Sequence, residues 1–145
     1  MIRIEVNQQI GQKIFLSQWQ KWVRKIETTL KLKKNWEISL ALVGKAAIKK
    51  LNSHYRGKNR VTDVLSFSES DSLDKKSAQF CRGFLGEIII CYPQAKKQAK
   101  QHQQTLEKEL QVLLNHGFLH LLGYDHEQSE KKAKEMQELE RRLLA

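Results

Sequence analysis

The chain has 145 residues, one domain's worth of length, with 26 Lys and Arg against 16 Asp and Glu, so the formal net charge is +10. With 40% apolar residues, three Trp, one Pro and seven Gly, it is neither a disordered basic tail nor a Pro/Gly-rich or low-complexity chain. No apolar run approaches the roughly 20 residues of a membrane span, the N-terminal MIRIEVNQQIG lacks a signal peptide's apolar segment, and two Cys make a disulfide scaffold a poor expectation. The class expected is a cytoplasmic, basic globular domain over residues 1–145.

In chain order, Ile2, Ile4 and Val6 alternate with charged residues, which predicts a half-buried strand. Ser17 precedes Trp19, Trp22, Val23, Ile26 and Leu30, the spacing of one helix face with the serine as its cap. Residues 36–43 (WEISLALV) read as a second strand, Ala46 to Leu51 as a helix entering the polar stretch NSHYRGKN, and Val61 to Phe67 as a third strand. Glu69 to Arg82 is polar and mixed in charge, a long loop. Leu85 to Cys91 (LGEIIIC) is almost wholly apolar, as expected of a central strand. Pro93 suits a first helical turn, helical pattern continues with breaks to Leu122, and a last helix turns Ala133, Met136, Leu139 and Leu143 inward. The stretch from Glu127 to Arg142 otherwise reads as a solvated surface. These elements imply an α+β domain: a four-stranded mixed or largely antiparallel sheet packed with about five helices.

The charge favours a polyanionic partner, because cations meeting phosphates release condensed counterions. Lys45, Lys49, Lys50, Arg56, Lys58 and Arg60 follow one another without an acidic residue, and the rings of His54 and Tyr55 lie among them. That combination fits nucleic acid better than simple solubility.

The segment HGFLHLLGYDH carries the chemistry. His116 and His120, four apart, share one helix face and can direct two nitrogens at one ion. Gly123 can end the helix in the left-handed conformation, returning the chain so that His126 supplies a third nitrogen. Three imidazoles and an open position describe a catalytic metal site, with zinc the best match. By composition alone the pattern H-x3-H-x2-G-x2-H arises on the order of once in several thousand such chains. The spacing equals that of the metzincin peptidases, but Gly117 stands where they carry a general-base Glu. A metallopeptidase-like hydrolase is therefore the weaker alternative, as is a non-catalytic binding module in which the metal only staples the helix end.

Several neighbours could complete the site. Arg56 could clamp a phosphate and neutralise transition-state charge. Thr62, Asp63 and Ser66 are either site partners or strand-end caps, and Asp125 orients a His or caps a turn. Glu87, a carboxylate in an apolar strand, needs a partner. Cys81 and Cys91 read as inert thiols, and His54 and His102 as non-ligands.

HGFLHLLGYDH, LNSHYRGKNRVTDVLSF (51–67) and LGEIIIC (85–91) together resemble the YbeY family of rRNA maturation factors, metal-dependent single-strand-specific endoribonucleases. The resemblance implies a zincin-like metallohydrolase fold and one Zn2+ per chain on His116, His120 and His126. It implies Arg56 and His116 as the catalytic pair, with single-stranded rRNA and the small ribosomal subunit as partners and no role for DNA or membranes. The activity implied is 16S rRNA 3′-end maturation and ribosome quality control. Lys45, Lys49, Lys50, Arg56 and Lys58 are then the expected RNA-binding groove. Asn59, Val61, Ser68, Glu87 and Gln111 depart from the family's usual residues, and none is an expected ligand.

Overall fold

The alternation at the N-terminus folds as strand β1 (Arg3–Gln8), with Ile2 and Ile4 buried. The structure, a computed structural model, describes residues 1–69, 83–125 and 129–145. Helix α1 (Leu16–Leu30) buries Trp19, Trp22, Val23 and Ile26, one stripe at helical spacing. Its start corrects the expected serine cap: Phe15 is the cap residue, and its carbonyl accepts from the Gln18 N–H at 3.0 Å. Ser17 therefore lies inside the first turn.

Strand β2 (Glu37–Val43) leads into α2 (Lys45–Arg56), which runs a turn beyond the expected Ala46 to Leu51. The polar stretch stays helical because Asn52, only 3% exposed, is satisfied inside, its Nδ2 donating to the Arg60 carbonyl at 3.0 Å. Strand β3 is Val64–Ser68, starting later than expected. There the Asp63 carboxylate accepts the Val64 N–H at 2.8 Å, a local bond in place of a ladder bond. Of the expected loop, Glu69 is described and residues 70–82 lie outside the described residues.

Strand β4 (Phe84–Cys91) passes directly into α3 (Tyr92–Gln101), with Pro93 in its first turn as expected. Helix α4 (Leu106–Leu121) is capped by the Thr105 hydroxyl, which accepts from the Lys108 N–H at 3.1 Å. Helix α5 (Glu130–Leu144) is capped in the same way by Ser129. None of the described helices is long and apolar enough to cross a membrane.

The sheet has the order β1-β2-β4-β3, so β4 is internal, as its apolar sequence implies. β1–β2 and β2–β4 are parallel and only β3–β4 is antiparallel. The sheet is therefore mixed, but the largely antiparallel version does not hold: α1 connects two parallel neighbours, the arrangement a helical crossover permits. Both sheet faces are covered. Ile88 and Ile90 of β4 join the main core with α1, α4 and α5, while Ile89 and Cys91 point to a smaller core under α2. This sandwich sets α4 and the end of α2 on either side of β3.

Candidate metal and RNA cleft

Helix α4 delivers the histidine pair. His116 and His120 are half-buried, and their Nε2 atoms face each other at 3.1 Å. Two nitrogens about 2.05 Å from one tetrahedral ion lie about 3.3 Å apart, so the spacing of the pair is close to that of two ligands of one zinc. A second group prepares the same geometry: the Glu140 carboxylate of α5 lies 2.9 Å from Nδ1 of His116. Gly123, at φ +97°, ends α4 as its sequence implies, its N–H donating to the His120 carbonyl at 3.0 Å. The chain then brings Asp125 to the cleft wall; His126 lies outside the described residues. Among the described residues no set of three His, Cys, Asp or Glu side chains converges to hold a metal.

The missing peptidase glutamate has a packing reason. Gly117 is buried, and a Cβ there would sit 2.9 Å from Cγ2 of Ile88. α4 crosses β4 closely here, so any side chain at 117 would have to displace the Ile88 side chain.

Opposite the histidines stands a cationic wall. Arg56, Lys58 and Arg60 line a cleft of about 460 Å3 together with His116 and His120. The Arg56 guanidinium is held before any ligand arrives: Nη2 donates to the Ser66 carbonyl at 2.8 Å, and Cζ lies 5.5 Å from the Phe67 ring centroid. Two anchors on β3 restrict the side chain that would otherwise lose most entropy on meeting a phosphate.

The expected groove divides. Arg56 and Lys58 share the cleft with the histidines, whereas Lys45, Lys49 and Lys50 are exposed along α2 and do not line it. Arg60 joins from the loop after α2. Thr62, Asp63 and Ser66 also line the cleft. Asp63 caps β3, and its other oxygen accepts from the Gln98 amide at 3.2 Å, while Ser66 acts through its carbonyl. His102 lies 3.0 Å from the buried Glu109 at the α3–α4 connection, and neither residue lines the cleft. Tyr55 packs edge-on against His54 and Phe67, with centroids 4.6 and 5.2 Å apart.

Glu140 is the residue the sequence reading missed, since it lies in a stretch that reads as solvated surface. Its signal was positional: it stands four residues after Met136 and three before Leu143, both buried.

Glu87 does not line the cleft. It pairs across the ladder with Phe67, and its carboxylate has no hydrogen-bond partner among the described residues. Burial raises its pKa. A folded-state carboxyl that holds its proton more tightly than the unfolded chain's makes stability fall as pH rises from the ordinary carboxylate range upward. Glu87→Gln is therefore expected to melt higher than wild type at neutral pH and alike in acid; thermal melts across pH test this, and an equal gap at every pH would refute it. Burial likewise pushes the Cys91 thiol up, in keeping with an inert thiol, and Cys81 lies outside the described residues.

Comparison with known proteins gives a consistent result. The family model "Endoribonuclease YbeY" matches residues 2–145. Proteins named endoribonuclease YbeY from Thermodesulfovibrio yellowstonii, Persephonella marina and a Sulfurihydrogenibium species are 47%, 42% and 39% identical to the chain. The first match covers 74% of this chain and 65% of that relative, the second 94% and 86%, the third 98% and 90%. The solution structure of TM1509 from Thermotoga maritima is 32% identical with a TM-score of 0.61, covering 99% of this chain and 87% of that one. The chain belongs to the YbeY family of endoribonucleases.

Proposed function

We propose that the chain, residues 1–145 acting as one domain, is a zinc-dependent, single-strand-specific endoribonuclease of the cytoplasm. Its substrate in this reading is the 3′ end of 16S rRNA on the small ribosomal subunit, in maturation and in ribosome quality control. The observation that carries the reading is one cleft holding two facing imidazole Nε2 atoms and an anchored guanidinium.

His116 and His120, with His126, would hold one zinc per chain. When bound, the metal supplies Lewis acidity and a water of near-neutral pKa. Arg56 binds the scissile phosphate by its fork and opposes the charge that builds on it. Lys58 and Arg60 hold neighbouring phosphates, and Lys45, Lys49 and Lys50 extend the positive surface along α2 for RNA leaving the cleft. Tyr55, 45% exposed beside Arg56, offers a ring to an unpaired base, which supports the preference for single strands. Gly117 argues against the peptidase alternative, because the position that would carry the base has no side chain and a larger residue there would crowd Ile88.

The test is cleavage of a labelled single-stranded RNA ending like the small-subunit rRNA precursor, by zinc-loaded and chelator-stripped protein. Cleavage is expected only with metal, and the same strand in a duplex is expected to resist. Arg56→Lys keeps the charge but loses the fork, so cleavage is expected to fall on the order of 10–100-fold with zinc content unchanged. Equal cleavage by wild type and Arg56→Lys would remove Arg56 from the mechanism. Cleavage indifferent to metal would overturn the metal-dependent reading.

A further inference from the structure

We propose that Glu140, on the C-terminal helix, is a positioning residue for the cleft: it fixes His116 in the tautomer that turns a lone pair toward His120. The inference rests on the metal reading above for its consequence, but not for its geometry. The Glu140 Oε1 to His116 Nδ1 distance is 2.9 Å, with the two side chains 30% and 29% exposed. An ionised carboxylate can only accept, so Nδ1 carries the proton. In a neutral imidazole the proton is then absent from Nε2, the atom 3.1 Å from Nε2 of His120. Removing Glu140 removes the acceptor that favours the proton on Nδ1, and a proton on Nε2 would occupy the place of a metal.

The helix is built to deliver this one carboxylate. Met136 and Leu143, each 1% exposed, bury the stripe on which Glu140 lies. The helix is further tied to α1 by Lys25 Nζ donating to the Ala145 carbonyl at 2.6 Å and Arg142 Nη2 donating to the Thr29 carbonyl at 3.3 Å. Glu130, Glu135 and Glu138 of the same helix are exposed, and Glu138 is engaged by Arg141, which lowers its pKa. Only Glu140 among these glutamates reaches the histidine pair. A stretch that reads as solvated surface therefore carries a part of the site, and metal uptake and docking of α5 support one another, since coupling between two equilibria is reciprocal.

The test uses full-length protein and Zn2+ alone, without RNA. Imidazole 15N shifts in the metal-free protein report the His116 tautomer, and competition with a chromophoric chelator reports zinc affinity. Wild type is expected to carry the His116 proton on Nδ1. In Glu140→Ala the proton is expected to redistribute to Nε2, and zinc affinity to fall about 10–100-fold. Glu140→Met, which keeps side-chain length without an acceptor, is expected to match Glu140→Ala even if the alanine variant loosens the helix. Glu140→Gln, whose amide oxygen can still accept, is expected to restore the tautomer and most of the affinity. Glu138→Gln is the surface control and is expected to match wild type. An unchanged tautomer with zinc affinity within twofold of wild type in both Glu140→Ala and Glu140→Met would overturn the proposal. If wild type takes up no zinc, the metal reading fails on its own, while the tautomer shift still decides the role of Glu140.

Discussion

Replacing His120 with alanine is expected to abolish RNA cleavage, by about 10³-fold or more, and to empty the protein of bound zinc. The variant removes one of two nitrogens that face each other at 3.1 Å, and the proposed three-histidine set loses a ligand it needs for useful affinity. The fold should survive. His120 is half-buried at the last turn of α4, and its ring packs on His116 with centroids 4.6 Å apart. Loss of that contact is expected to change stability by no more than about 1 kcal/mol. Metal content by mass spectrometry, circular dichroism and a labelled-RNA assay on the same preparation separate the outcomes. Cleavage equal to wild type would point to a contaminating nuclease and leave the binding-module reading. Lost zinc with RNA affinity intact, alongside lost cleavage, is the result the nuclease reading requires.

The second large effect concerns the sheet beneath the site. Gly86 pairs with Ser68 across the β3–β4 ladder. A Cβ at position 86 would meet the Phe67 carbonyl oxygen, with Cδ2 of Leu121 at 2.6 Å and the Ser68 Cα at 3.1 Å. Two of these three atoms are backbone, which cannot rotate out of the way. Gly86→Ala is expected to cost about 3 kcal/mol, the upper part of the range for overpacking, or about 10 °C in Tm for a chain of this size. The damage reaches the cleft, since Ser66 and Phe67 of the displaced strand are the anchors of Arg56. Residual cleavage by the folded fraction should fall as well. A melting temperature within about 2 °C of wild type would mean that the two strands can part without loss.

What could be read from the chain by itself shares one property: it depends on spacings of a few residues, which backbone geometry converts directly into neighbours. The Trp19–Ile26 stripe, the internal strand β4, Pro93 in the first turn of α3, and the left-handed Gly123 all follow from local periodicity or φ preference. The pairing of His116 with His120 is of the same kind, four residues on one helix face. Local reading fails where a tertiary contact outweighs propensity. Asn52 keeps α2 helical through polar sequence because its amide finds the Arg60 carbonyl, and α1 begins at Leu16, which places Ser17 inside its first turn.

The sequence by itself thus determined the elements, the family resemblance and the two histidines on one face of α4. The tertiary structure alone decided the parallel order β1-β2-β4, the division of the cations between the cleft and α2, and the close packing of Gly117 of α4 on Ile88. It also brought Glu140 across 24 residues to His116. Such contacts carry no periodic signature, because they are set by how helices dock on a sheet, and docking depends on the summed burial of many side chains and not on the spacing of any few.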